Sequence, residues 1–150
     1  MSQTQGESRG LWLAWLQVVL AFVLIYALVL VLAGSVAGWM FSALGFGPPQ
    51  NIVSPELEKY LRLPYMVLGA VLAGWTLLML LVVRGPLREQ APWALPAVTV
   101  SLAVWFVLDT GMSLVLGFPT HALFNVPFAL ALGIPLWRLK VVDAHLTDGS

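Results

Sequence analysis

Four long apolar stretches separated by short polar breaks decide the fold class of this chain before any single residue does. A helix crosses the hydrocarbon of a bilayer in about 20 apolar residues, since each adds about 1.5 Å and satisfies its backbone polar groups internally. The stretches read as spans over 11–33, 63–83, 93–116 and 121–139. Hydrophobic residues make up 60% of the 150 and charged residues 9%, against about 25% charged in a soluble domain. The fold expected is therefore an all-α membrane protein, one integral domain with four transmembrane helices in an antiparallel bundle. Seven basic residues balance seven acidic ones, which leaves no basic patch for nucleic acid. Cysteine is absent, which removes disulfides, thiolate nucleophiles and thiolate-held clusters.

The first apolar run extends from Leu11 to Phe46, about 50 Å if wholly helical and too long for one crossing. The span is placed at Leu11–Ala33, with Trp12 and Trp15 as one interfacial belt. Gly34, Gly38 and Gly45 then loosen the chain, and Trp39, Phe41 and Phe46 reach the opposite interface. A cleavable leader is disfavoured, because the apolar run exceeds the ~7–15 residues of a signal core and Glu7 opposes Arg9 ahead of it. Gly69, Ala73 and Gly74 give the second span a narrow face for helix packing. Gly117-Phe118-Pro119-Thr120 is a tight connection that makes the third and fourth spans a hairpin.

In the first loop, Pro48-Pro49-Gln50-Asn51 breaks any helix. Ser54-Pro55-Glu56 then reads as an N-cap, a first-position proline and a first-turn acid. Leu57, Tyr60 and Leu61 share one face of the segment that follows, and Glu58 and Arg62 pair across the other. A short interfacial helix is expected there, as a solvated connector or as a lid over an outward cavity. The tail from Val141, with Asp143, His145 and Asp148, reads as a solvated terminus. Arg9, Arg84, Arg88, Arg138 and Lys140 fall on one side of a four-span topology, Lys59 and Arg62 on the other. This imbalance places both termini in the cytoplasm of a plasma (inner) membrane protein.

Apart from Arg138 at the very end of the fourth, Asp109 is the only charged residue inside a span. A carboxylate at that depth costs roughly 2.5–3.5 kcal/mol on insertion scales and so needs a partner or a task. It lies about 12 Å below the 117–120 connection, and Asn125 lies about 9 Å below it on the other side. Ser113 shares a face with Asp109, and His121 shares one with Asn125. Pro127 also frees the Leu123 carbonyl near the same level. Asp109, Ser113, His121 and Asn125 are thus the candidate ligand or proton site. The plainer alternative is a hydrogen-bond network that fixes how two helices pack. Trp75, Thr76 and Gln17 are other polar groups in the spans, but no spacing brings them to this spot. One histidine and one aspartate are too few ligands for a metal site, and no metal or other cofactor is expected. A Ser113–His121–Asp109 hydrolase lacks a nucleophile elbow.

Two stretches carry a family resemblance. One runs from Gly69-Ala70-Val71-Leu72-Ala73-Gly74-Trp75 to Arg84-Gly85-Pro86-Leu87-Arg88. The other runs from Trp105-Phe106-Val107-Leu108-Asp109 through Ser113, Gly117 and Asn125 to Pro135-Leu136. Together they resemble small bacterial four-span proteins that are broadly DoxX-like, over about the C-terminal half of the chain. The resemblance implies the four-span fold and weight on Asp109, Ser113 and Asn125, and brings no settled activity. The function expected is a non-enzymatic membrane component that associates in the bilayer with itself or with a larger complex. The alternative is a transporter or a small-ligand or ion binder that uses the Asp109 cluster.

Overall fold

Every apolar run is helical. In the computed structural model, residues 3–45 and 54–147 are described. They form α1 (Gln3–Leu32), α2 (Gly34–Ala43), α3 (Pro55–Arg84), α4 (Ala94–Val115) and α5 (Pro119–Thr147). Of these, α1, α3, α4 and α5 are long and apolar enough to cross a membrane, so the chain is a polytopic membrane protein. At 30, 30 and 29 residues, α1, α3 and α5 each reach about 45 Å, beyond the roughly 30 Å of hydrocarbon. Their ends therefore project past it. Phe46, the Pro48–Asn51 breaker and Asp148 lie outside the described residues, as does the His145 side chain.

The long first run is divided at a single residue. Ala33 leaves the helical region (φ −125°, ψ 53°) and α2 starts at once with Gly34. A helix continued straight through would drive ten more apolar residues out of the bilayer. The break instead lets α2 fold back along α3: Gly34 faces the Arg62 stem, Gly38 faces Tyr65, and Phe41 stacks on the Tyr65 ring at 5.0 Å. Leu30, Ala37 and Phe41 form a small core at this end.

The interfacial helix of the first loop begins as the sequence indicates. Ser54 Oγ accepts the Leu57 N–H at 3.2 Å, and Arg62 donates to Glu58 at 3.4 Å. It is not a separate element, however, because α3 continues through Pro64 into the second span. Pro64 lacks an N–H and frees the Tyr60 carbonyl. Tyr60 is exposed, beyond the apolar interior, so the carbonyl has solvent or headgroups to turn to.

Around the bundle, α1 lies between α3 and α5, α4 packs on α5, and the α3–α4 seam is the loosest. Gly69 is what brings α1 and α3 together: a Cβ there would meet the Ala27 carbonyl oxygen at 2.7 Å. Gly74 does not share that face: five residues on, it is turned about 140° from Gly69 and has open space beside it. The main core, built on Leu16, Leu20, Val83, Leu87, Leu136 and Leu139, fills the end that holds the chain termini.

That end is closed by a charge the sequence reading left in water. Arg9 is buried. Its Nε donates to Asp143 Oδ1 at 2.9 Å, its Nη2 to the Leu87 carbonyl at 2.6 Å and its Nη1 to the Arg88 carbonyl at 3.2 Å. The tail is accordingly not a free terminus: α5 carries on to Thr147, and Asp143 fastens it to α1 and to the α3–α4 connection. A second tie crosses from α1 to α5. Pro135 cannot bond the carbonyl four residues earlier, that of Ala131, and Trp15 donates its indole N–H to that oxygen at 3.0 Å.

Candidate functional site

The α4–α5 connection sets the geometry of the polar cluster. Gly117 takes φ +80°, the Phe118 N–H returns to the Ser113 carbonyl at 2.8 Å, and the Gly117 N–H returns to Leu114 at 3.1 Å. This paired closure of a helix end requires a left-handed residue, and glycine takes that conformation without steric cost. Pro119 then opens α5. The two helices run antiparallel, with Asp109 and Asn125 at matching depth.

Three of the four candidate residues meet. Asn125 is buried and donates through Nδ2 to Asp109 Oδ2 at 2.6 Å and to Thr110 Oγ1 at 3.1 Å. His121 Nε2 lies 3.1 Å from the same Oδ2. With Asp109 as a carboxylate, Nε2 must carry the proton for that contact to attract. Ser113 stands apart. Its hydroxyl donates at 2.6 Å to the backbone carbonyl of Asp109, not to the carboxylate, the back-bonding usual for serine in a helix.

The Asp109 side chain is 40% exposed and that of His121 25%. Both border a cavity of about 410 Å³ that all five helices help to line. Val23 and Tyr26 come from α1, Phe41 from α2, and Leu68, Val71, Leu72 and Trp75 from α3. The wall on α4 is Ser101, Val104, Trp105 and Asp109; on α5 it is His121, Phe124, Asn125, Phe128 and Leu132. Leu123 is not among these residues. Trp75 is held in place by an indole bond to Ser101 Oγ at 2.7 Å and sits 6.5 Å from the Trp105 ring.

Sequence spacing missed Thr110, Ser101, Trp105, Tyr26 and Phe41, and set Trp75 aside. Part of the signal was present: Ser101, Trp105 and Asp109 recur every four residues on one face of α4. Leu68, Val71, Leu72 and Trp75 keep the i, i+3, i+4, i+7 pattern on α3. Which face of α1 or α3 turns toward Asp109 depends on how the helices pack, and no local pattern encodes it. Thr76, next to Trp75, points the other way into the core, fully buried, with no hydrogen-bond partner among the described residues. No group of three or more His, Asp or Glu side chains able to hold a metal converges among the described residues.

No family model, curated protein or solved structure matches the chain.

Proposed function

We propose that this membrane protein holds a small, largely apolar molecule in the cavity between its helices and does not change it chemically. One observation carries the reading. Asp109, His121 and Asn125 converge on one wall of a roughly 410 Å³ cavity whose other walls are mainly aliphatic and aromatic. A pocket of about 300–1,000 Å³ with an apolar lining and a few convergent polar groups is the usual form of a small-molecule site. The only hydroxyl of the expected cluster, on Ser113, is committed to a backbone carbonyl, which supports recognition over nucleophilic chemistry. Binding is complete in one copy. Carriage across the bilayer requires self-association or a larger complex, since four spans are few to enclose a path. In a plasma (inner) membrane, the basic residues at the Arg9 end support an orientation with both termini cytoplasmic, and a cysteine placed at Glu56 should then label from outside intact cells.

Filling the cavity tests the reading. Val104→Trp occupies the lining from a half-exposed position that can accept bulk without disturbing the core. Native mass spectrometry of the unsubstituted protein should find a bound small molecule that the folded variant lacks. If the variant also restores any phenotype of gene deletion as fully as the unsubstituted chain, the cavity has no role.

A second reading, helix cement alone, is favoured by Asn125 bonding both Asp109 and Thr110 across the hairpin. Under it, Asp109→Asn folds and functions normally, while Asp109→Leu loosens the hairpin by about 0.6–2 kcal/mol per lost bond.

A further inference from the structure

The geometry points to an organic cation as the ligand: an ammonium group set against Asp109, with an apolar body lying among the aromatic rings. This rests on the binding role proposed above and narrows it to one chemical class.

Charge is the first reason. Among the described residues, Asp109 is the only acidic one lining the cavity, and no lysine or arginine lines it. Both donors given to the carboxylate, Asn125 Nδ2 and His121 Nε2, go to Oδ2; among the described residues Oδ1 accepts no hydrogen bond. A carboxylate facing a membrane interior is stabilised chiefly by opposite charge, because Coulomb attraction strengthens as the dielectric falls. An ammonium supplies that charge together with N–H donors for Oδ1. An alcohol supplies only a hydrogen bond, and an anion is repelled.

The walls are the second reason. Tyr26, Trp75, Trp105 and Phe124 line the same space as the carboxylate, and aromatic rings attract cations most strongly where water is excluded. Trp75 is anchored by Ser101 rather than free to rotate away. Size agrees. At about 30 Å³ per water, 410 Å³ equals the room of about a dozen waters, enough for a compact ring system.

Three probes with one body and three head groups decide the class: 1-adamantanamine, 1-adamantanol and 1-adamantanecarboxylate. Each is titrated calorimetrically into the full chain in phosphatidylcholine nanodiscs, with empty nanodiscs subtracted. The amine should bind about tenfold or more tighter than the alcohol, and the carboxylate should give no measurable heat. In Asp109→Asn the amine should fall to the affinity of the alcohol, whose own binding stays unchanged. Alcohol or carboxylate binding as well as the amine overturns the cation assignment and leaves the binding role standing. So does an amine preference that survives Asp109→Asn. If none of the three binds, the cavity-binding role fails as well. Should Asp109→Asn not fold, the ranking in the unsubstituted protein decides alone.

Discussion

Removing Asp143 should cost this bundle more than removing any other charge at its surface. Arg9 has only 8% of its side chain accessible, whereas Asp143 keeps 30%. Taking away one partner of a fully buried ion pair costs about 3–5 kcal/mol, because the other charge is left stranded. Here water can enter where the carboxylate was, and the guanidinium keeps the Leu87 and Arg88 carbonyls. That lowers the expectation for Asp143→Ala to about 2–3 kcal/mol. Arg9→Met strands no buried charge but removes the donor to the Arg88 carbonyl and one of two donors to the Leu87 carbonyl, which keeps the Gln90 N–H, for about 1–2 kcal/mol. The double variant should be less destabilised than the sum, with a coupling of about 1–2 kcal/mol. Reversible unfolding in mixed micelles with increasing dodecyl sulfate, followed by tryptophan fluorescence, gives all four corners of the cycle. Asp143→Ala within about 0.5 kcal/mol of the unsubstituted chain, together with additive double-variant energies, would mean that the pair fastens nothing.

The same unfolding assay separates the two glycines of α3. Gly69→Ala puts a methyl 2.7 Å from the Ala27 carbonyl oxygen and should destabilise by about 1–3 kcal/mol. Gly74→Ala meets nothing within 4 Å and should be neutral or stabilise by up to about 1 kcal/mol. Equal effects at the two sites would refute the close α1–α3 approach. Trp15→Phe removes the donor to the Ala131 carbonyl and should cost about 0.6–2 kcal/mol. In a Pro135→Ala background α5 recovers its own hydrogen bond, so the cost should shrink; an undiminished cost would show that Trp15 contributes by packing alone.

What the sequence made legible was whatever repeats along one helix. Run length alone specified four spans, and Ser54-Pro55-Glu56 marked the start of α3 because a cap is a local device. Asp109, His121 and Asn125 came together because a three-residue connection at Gly117 leaves little freedom in depth. Ser113 shows the limit of that method. Spacing put it on the face of Asp109 but could not tell a bond to the carboxylate from one to the carbonyl beneath it. Arg9 and Asp143 lie 134 positions apart, and nothing near either announces the other. Trp15 looked like an interfacial residue, and only the packing of α1 on α5 brings it to the acceptor that Pro135 exposes. Trp75 and Tyr26 joined the cavity for the same reason, through contacts between helices distant in sequence.

The backward fold of α2 has a consequence for biosynthesis. A ribosome delivers α1 and α2 before any of α3 exists, yet Tyr65, against which Phe41 stacks, is made twenty-four residues after it. Until then Ala37 and Phe41 have only Leu30 and Tyr26 of α1 to pack on, and ten residues are too few to cross the membrane. The nascent segment must therefore wait at the lipid surface. Entry of α3 into the bilayer adds a span and, in the same event, seats an element already synthesised, so assembly at this end of the bundle runs against the order of translation.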